Sequence, residues 1–371
     1  MFRYTFKMHD LIHDLALLIG KGEFSIVTKN SSIAANVCHL SFLEYDVEVT
    51  TQLKRLSRVQ TIIFQTKQPM SLVETCISRF KFLRLLDLRK SSFEELPSSV
   101  STLKHLRFLD LSCNSVIKKL PNSICNLHSL QTLLLGGCNN LERLPKGIRN
   151  MISLRFLVVT TKHTCLSENQ EGCLNSLRYL VIGDCKHLRC LFEGMDGRLV
   201  YLRTLLVGNC PRLTSLSLSI KHLTALEFLI ISNCKELCLT VGEENHNLKL
   251  ILRMLMIFDL PKLEVLPQWL QGSVNTLQHL VIGGCDNFKA LPEWLPSLKS
   301  LQKLQIIACP ILPSLPKGMQ ALTALKELTI SGCPTLSSNL KKEDWSYFAH
   351  VPKIDIEGYS GWNQRIRTTR K

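Results

Sequence analysis

Three groups of residues could carry chemistry. His9 and His13 stand four apart beside Asp10 and Asp14, and on a helix both imidazoles would project from one face and could clamp a metal ion. Zinc hydrolysis would ask for glutamate after the first histidine, where Asp10 stands, and no third ligand is evident. Fifteen cysteines and eleven histidines could supply a Cys/His nucleophile, but nothing in their spacing pairs them. No CxxC pair occurs to hold zinc on thiolates, and no GxxxxGK[ST] loop to cradle a phosphate. Catalysis is therefore not the expectation, and metal ligands are expected to be none.

What orders the cysteines is a repeat. Cys138, Cys185, Cys210, Cys234, Cys285, Cys309 and Cys333 hold one position in a unit of 23 to 26 residues, typified by Leu130-Gln131-Thr132-Leu133-Leu134-Leu135-Gly136-Gly137-Cys138. Similar units begin at Leu83, Leu106, Leu154, Leu177, Leu202, Leu226, Leu252, Leu277, Leu301 and Leu325. The form LxxLxLxxC, or LxxLxLxxN, marks a leucine-rich repeat solenoid. Each unit is a short strand and a return segment, too small to bury its own apolar face, so stacked neighbours build one core. The expected fold is an α/β solenoid, a horseshoe of about a dozen repeats. At the ninth position Asn114 is expected to bond the loop backbone, and cysteine replaces it as a small buried hydrophobe with a weak donor. Adjacent strands lie ~4.8 Å apart, so ladder thiols could come within crosslinking range on oxidation.

A solenoid accommodates 371 residues without dividing into globular domains. The longest apolar stretches, Leu15 to Ile19 and Leu250 to Leu260, are short or broken by Arg253 and Asp259, so no transmembrane segment is expected. The first residues do not resemble a signal peptide. The expected location is cytoplasmic, with the nucleus or the periphery of the plasma membrane as alternatives.

The formal charge of +15 raises nucleic acid as a partner, but the basic residues are spread along the repeats and no compact basic patch carries stacking aromatics. Protein is the expected partner class, and nucleic acid is not the first choice. One basic row stands out at the second position of the units: Arg84, Arg107, Arg155, Arg178 and Arg203, continued by Arg253 and Lys326. Along a solenoid these residues line one edge of the sheet, either as a solvated margin or as a docking strip for an acidic protein surface.

Leucines at the first, fourth and sixth positions are expected to face inward, and the third, fifth and seventh to face the concave side. Fifth positions from Leu134 through Val158, Val181, Leu206, Ile230 and Met256 to Val281 are all apolar, and third positions add Phe156, Tyr179 and Phe228. Seven strands give an apolar strip roughly 30 Å long. An exposed strip of that size marks a binding surface. Leu-Pro pairs at 96–97, 120–121, 144–145, 266–267, 291–292 and 315–316 turn the chain onto the convex side. The middle repeats lack the pair and border two polar stretches, Thr160 to Glu171 and Thr240 to Asn247, which are candidate contact loops.

The N-terminal segment reads Phe6-Lys7-Met8-His9-Asp10-Leu11-Ile12-His13-Asp14-Leu15-Ala16. It resembles the MHD motif of plant intracellular immune receptors, in which a nucleotide-binding domain (NB-ARC) precedes leucine-rich repeats, and specifically their coiled-coil-type branch. The resemblance implies that residues 1–28 are a winged-helix remnant. Residues 29–58 would then be a linker and N-terminal cap, 59–360 the repeat domain and 361–371 a basic tail. It further implies that His9 contacts the diphosphate of ADP and Asp10 supports that geometry. With the phosphate loop missing, ADP or ATP is implied only where an upstream nucleotide-binding domain is present, and no cofactor is expected for this chain alone. The chain is expected to be the C-terminal part of such a receptor. Its implied partners are pathogen effectors or guarded host proteins, and the receptor's own nucleotide-binding module, which the repeats hold closed. The alternative is a stand-alone repeat protein acting as scaffold or decoy.

Overall fold

The leucine spacing dictates strands too short to stand alone, and stacking supplies what each lacks. In the computed structural model, residues 20, 22–29, 31–44, 47–166, 174–191, 199–216, 223–240, 250–340 and 347–357 are described. Among them fifteen strands form one sheet in chain order, every neighbouring pair parallel. They are β1 (Phe24–Val27), β2 (His39–Phe42), β3 (Thr61–Phe64), β4 (Leu85–Asp87), β5 (Phe108–Asp110), β6 (Thr132–Leu135), β7 (Phe156–Val159) and β8 (Tyr179–Gly183). β9 (Thr204–Gly208), β10 (Phe228–Ser232), β11 (Met254–Phe258), β12 (His279–Gly283), β13 (Lys303–Ile307), β14 (Glu327–Ser331) and β15 (Lys353–Ile356) complete it. This is the leucine-rich repeat solenoid that the spacing predicts. β1 pairs in register with β2 and β2 with β3, so the sheet runs through the expected linker and its first strand lies within residues 1–28, the stretch expected to be a winged-helix remnant.

Register never slips between the regular units. Fifth residues pair from Asp87–Asp110 through Leu134, Val158, Val181, Leu206, Ile230, Met256, Val281 and Gln305 to Thr329. A one-residue slip would turn every inward leucine to solvent, so the alternation itself fixes the register. Inward residues such as Leu133, Leu180, Leu229, Ile282 and Leu328 form a single continuous core.

Short helices close the early units: α1 (Val47–Leu53) and α2 (Met70–Arg79), which buries Leu72, Val73, Cys76 and Ile77. In the proline-bearing units, Pro97, Pro121, Pro145 and Pro267 immediately precede 3₁₀ turns. Proline's fixed φ starts the turn, and its missing N–H costs nothing at that position. α3 (Pro334–Asn339) follows the last regular strand.

The ninth-position ladder is inward and made of free thiols. Asn114 is fully buried, its Oδ1 accepting from the Val116 and Ile117 amides and its Nδ2 donating to Phe93 O. Cysteine supplies weaker versions of these bonds: Cys138 Sγ donates to Leu111 O at 3.2 Å, and Cys185 Sγ accepts from the Thr161 amide. Just before it, the eighth position runs in the left-handed region, as at Asp184, Asn209, Asn233, Asp259, Gly284, Ala308 and Gly332. Asn, Asp and Gly tolerate that conformation best.

Candidate interaction surface

Strand alternation that buries the leucines must present the third, fifth and seventh residues on the open face, the concave side expected of a repeat solenoid. Leu134, Phe156, Val158, Val181, Leu206, Phe228, Ile230 and Met256 are half-buried there, and Tyr179 is 44% exposed. Their direct pairing makes them one strip across β6 to β11. The Phe156 and Tyr179 rings, partners in the third-position column, stack at 5.6 Å and join β7 to β8 on the open face.

Val281 does not belong to it. The expected strip ended there, but the side chain is only 2% exposed. Two residues on, Gly283 leaves a gap into which the ring of Phe258 leans, 2.8 Å from where a Cβ would stand. The exposed strip therefore ends at Met256.

The basic row is real as a ladder. Arg107 N–H donates to Arg84 O, and the same step links Arg155 to Gln131, Arg178 to Arg155 and Arg203 to Arg178. The side chains differ in what holds them. Arg178 lies 4.9 Å over the Tyr201 ring and donates to Asn175 O and Tyr201 O. Arg203 is 3.7 Å from Glu227, which also meets Arg253 at 3.6 Å. Glu227 thus interrupts the row from its own position. Arg84, Arg107 and Arg155 are exposed and make no ion pair among the described residues.

Past the N-terminal end of the strip, Asp87 and Asp110 pair across β4 and β5, both buried and both facing the exposed Arg89 at 2.7 and 3.4 Å. Burial raises the Asp110 carboxyl from its ordinary range, against a lowering hydrogen bond from Ser112. At the other end, Glu327 lies between Lys303 (3.2 Å) and Lys353 (3.1 Å). An apolar centre is therefore bounded by polar clusters along the solenoid and by arginines on one edge. The opposite edge carries an amide ladder, with Asn209 Nδ2 donating to Asp184 and Asn233 Nδ2 to Asn209, each at 2.9 Å. The sequence reading missed this ladder, although Asn or Asp at the eighth position of three successive units was its signal.

His9, Asp10 and the rest of residues 1–19, residues 167–171 and 241–247 of the two polar stretches, and the basic tail lie outside the described residues. No helix among the described residues is long and apolar enough to cross a membrane. None of them form a group of three or more His, Cys, Asp or Glu placed to hold a metal ion.

Comparison with known proteins agrees with this architecture. Residues 37–182 match the description "Leucine-rich repeat region". A stretch of 113 residues, 30% of this chain, is 34% identical to the disease resistance protein RGA1 of Solanum bulbocastanum but spans only 10% of that protein. Disease resistance protein RGA2 of the same species is 34% identical over 27% of this chain and 8% of its own length. The chain thus matches about a tenth of the length of these curated relatives. Among solved structures, an internalin of Listeria monocytogenes superposes with a TM-score of 0.57 at 17% identity, covering 82% of each chain. The chain folds as a leucine-rich repeat solenoid, and part of it is similar in sequence to disease resistance proteins of Solanum bulbocastanum.

Proposed function

We propose that this repeat array is the non-catalytic recognition and autoinhibition module of a plant disease resistance protein. In this reading it senses a pathogen effector or a guarded host protein. The observation that carries the reading is the half-buried strip from Leu134 to Met256, continuous across six paired strands and edged by arginines. An apolar centre within a charged rim is the anatomy of a protein interface, and Tyr, Phe, Met and Arg are the residues such interfaces favour. The similarity to RGA1 and RGA2 supports the choice of partner class.

The two roles divide along the surface. Arg84, Arg107 and Arg155, exposed and clear of ion pairs among the described residues, form the intramolecular dock for an acidic face of the nucleotide-binding module. The strip senses the ligand. Arg178 and Arg203, already engaged, contribute less to docking.

The test is expression in leaf of a receptor carrying this array, scored for spontaneous cell death. Arg84→Glu/Arg107→Glu/Arg155→Glu should release restraint, whereas Ile230→Glu should keep restraint and lose the triggered response. Both variants retaining restraint and response, with unchanged circular dichroism of the purified array, would overturn the assignment.

A further inference from the structure

The ladder thiols are poor candidates for chemistry. Burial pushes Cys138 up to about 12 and Cys285 up to about 11, and hydrogen bonding to Cys210 together with burial pushes Cys185 and Cys234 up as well. Cys210 and Cys333 go the other way, lowered by hydrogen bonds with Cys185 and Cys234 and with Cys309, but all seven ladder thiols are buried out of reach of an attacking partner.

A second cysteine column stands elsewhere in the repeat. It occupies the residue before the leucine that opens each return segment, where isolated parallel bridges link Cys165 to Cys190, Cys190 to Ser215 and Ser215 to Cys238. Equivalent positions in the proline-bearing units are Glu95 with Lys119 and Val265 with Ala290. Unlike the ladder thiols, Cys165, Cys190 and Cys238 are only half-buried. Cys165 also lines a cavity whose other walls include Arg143, Lys146, Arg149 and His163. His163 Nδ1 contacts both Cys165 O and the Cys165 amide, the latter at 3.3 Å, which holds that ring beside the residue. The cavity therefore sets a partly exposed thiol beside three cationic side chains, Arg143, Lys146 and Arg149.

We propose that Cys165 is a peroxide-reactive thiol and that Cys190 is its resolving partner, so that oxidation joins two adjacent repeats covalently. The proposal is independent of the recognition role argued above. The Cys165 thiolate attacks one oxygen of hydrogen peroxide, breaking the O–O bond and, with one proton taken up, releasing water and leaving a sulfenic acid. The Cys190 thiol then attacks that sulfur, forming the S–S bond and expelling a second water. Two thiols lose two electrons and two protons, and the peroxide is reduced to two waters. Paired residues on adjacent strands have Cα atoms ~4.8 Å apart, within the span a disulfide accepts, although the Cβ atoms must draw closer. An isolated bridge can yield by that amount. It is held by the Arg189 amide on Thr164 O at 2.7 Å and a longer contact from the Cys190 amide at 3.4 Å.

Cys238 is the internal control, being half-buried in the same column but not among the residues lining that cavity. In the full chain at pH 7, iodoacetamide should alkylate Cys165 about tenfold faster than Cys238. Arg143→Glu/Lys146→Glu should bring the two rates together without changing that of Cys238. After hydrogen peroxide and alkylation of residual thiols, peptide mapping should recover the Cys165 peptide joined to the Cys190 peptide. Cys190→Ser should instead leave a Cys165 sulfenic acid that dimedone traps. Equal alkylation rates in the unsubstituted chain would overturn the reactive-thiol assignment. A Cys165 disulfide formed undiminished in Cys190→Ser, to any other cysteine, would overturn the resolving role.

Discussion

The ring of Phe258 takes the space that Gly283 leaves free: a Cβ on Gly283 would stand 2.8 Å from Phe258 Cδ1 and 3.1 Å from Cε1. The two residues are partners in the β11–β12 ladder, so neither backbone can retreat without breaking register. Gly283→Ala should therefore destabilise by about 1–3 kcal/mol, the usual cost of overpacking. Thermal unfolding of Gly283→Ala, Phe258→Ala and the double variant forms the check. A double variant no more stable than the sum of its parts would show that the ring is not what the methyl meets.

The amide ladder makes a separate claim. Asn209 donates to Asp184 and accepts from Asn233, and its φ is 54°. Asn209→Ala loses both bonds and keeps a β-carbon in the left-handed region, for a combined loss of roughly 1–3 kcal/mol. Asn209→Gly loses the same bonds but relieves the backbone and should cost less. Equal losses in chemical denaturation would leave the conformational part of the argument without support.

Asp110 gives the surface a pH dependence. Burial, its largest influence, raises the folded-state pKa above the unfolded value. Between those two values the folded state keeps a proton that the unfolded state has released, so stability falls as pH rises through the window and stays lower above it. Asp110→Asn retains an oxygen to accept the Ser112 amide, which now sits 2.8 Å from Oδ1. The variant should melt higher than the parent at pH 7, and the gap should close as pH falls toward the ordinary carboxylate range. A gap that widened on acidification would mean that the Arg89 pairing dominates.

Much of this was legible because one period governs both strand and core. Leucine spacing alone places Leu133, Leu205 and Leu280 inside, and the same count lines up Arg84 with Arg107 and Leu206 with Ile230. What it could not give was interaction between positions: Phe258 reaching over Gly283, Glu227 drawing Arg203 and Arg253 together, or Arg178 settling on Tyr201. These depend on which side chains meet across a ladder, and a repeat consensus averages that away. The second cysteine column escaped for a related reason. Its members stand 11, 13 and 12 residues after Leu154, Leu177 and Leu226, so counting from the opening leucine does not align Cys165, Cys190 and Cys238.

Leu205 and Leu206 are neighbours in β9 with opposite fates, and the difference separates folding from recognition. Leu205 is 1% exposed within the core, while Leu206 is half-buried on the open face between Val181 and Ile230. Leu205→Ala removes buried methyl groups and leaves a cavity that stacked strands cannot close, at about 2–5 kcal/mol. Leu206→Glu puts a carboxylate where water can still reach it, so its stability cost should be well below that of Leu205→Ala. Placed in an apolar contact with a partner, the same carboxylate would lose its hydration without gaining a pair, and binding should fall steeply. Denaturant midpoints and the triggered response in leaf can be read on the same two variants. If Leu206→Glu unfolds as readily as Leu205→Ala, the open face is part of the core and the strip is not a binding surface. If it keeps both midpoint and response, recognition lies elsewhere on the solenoid.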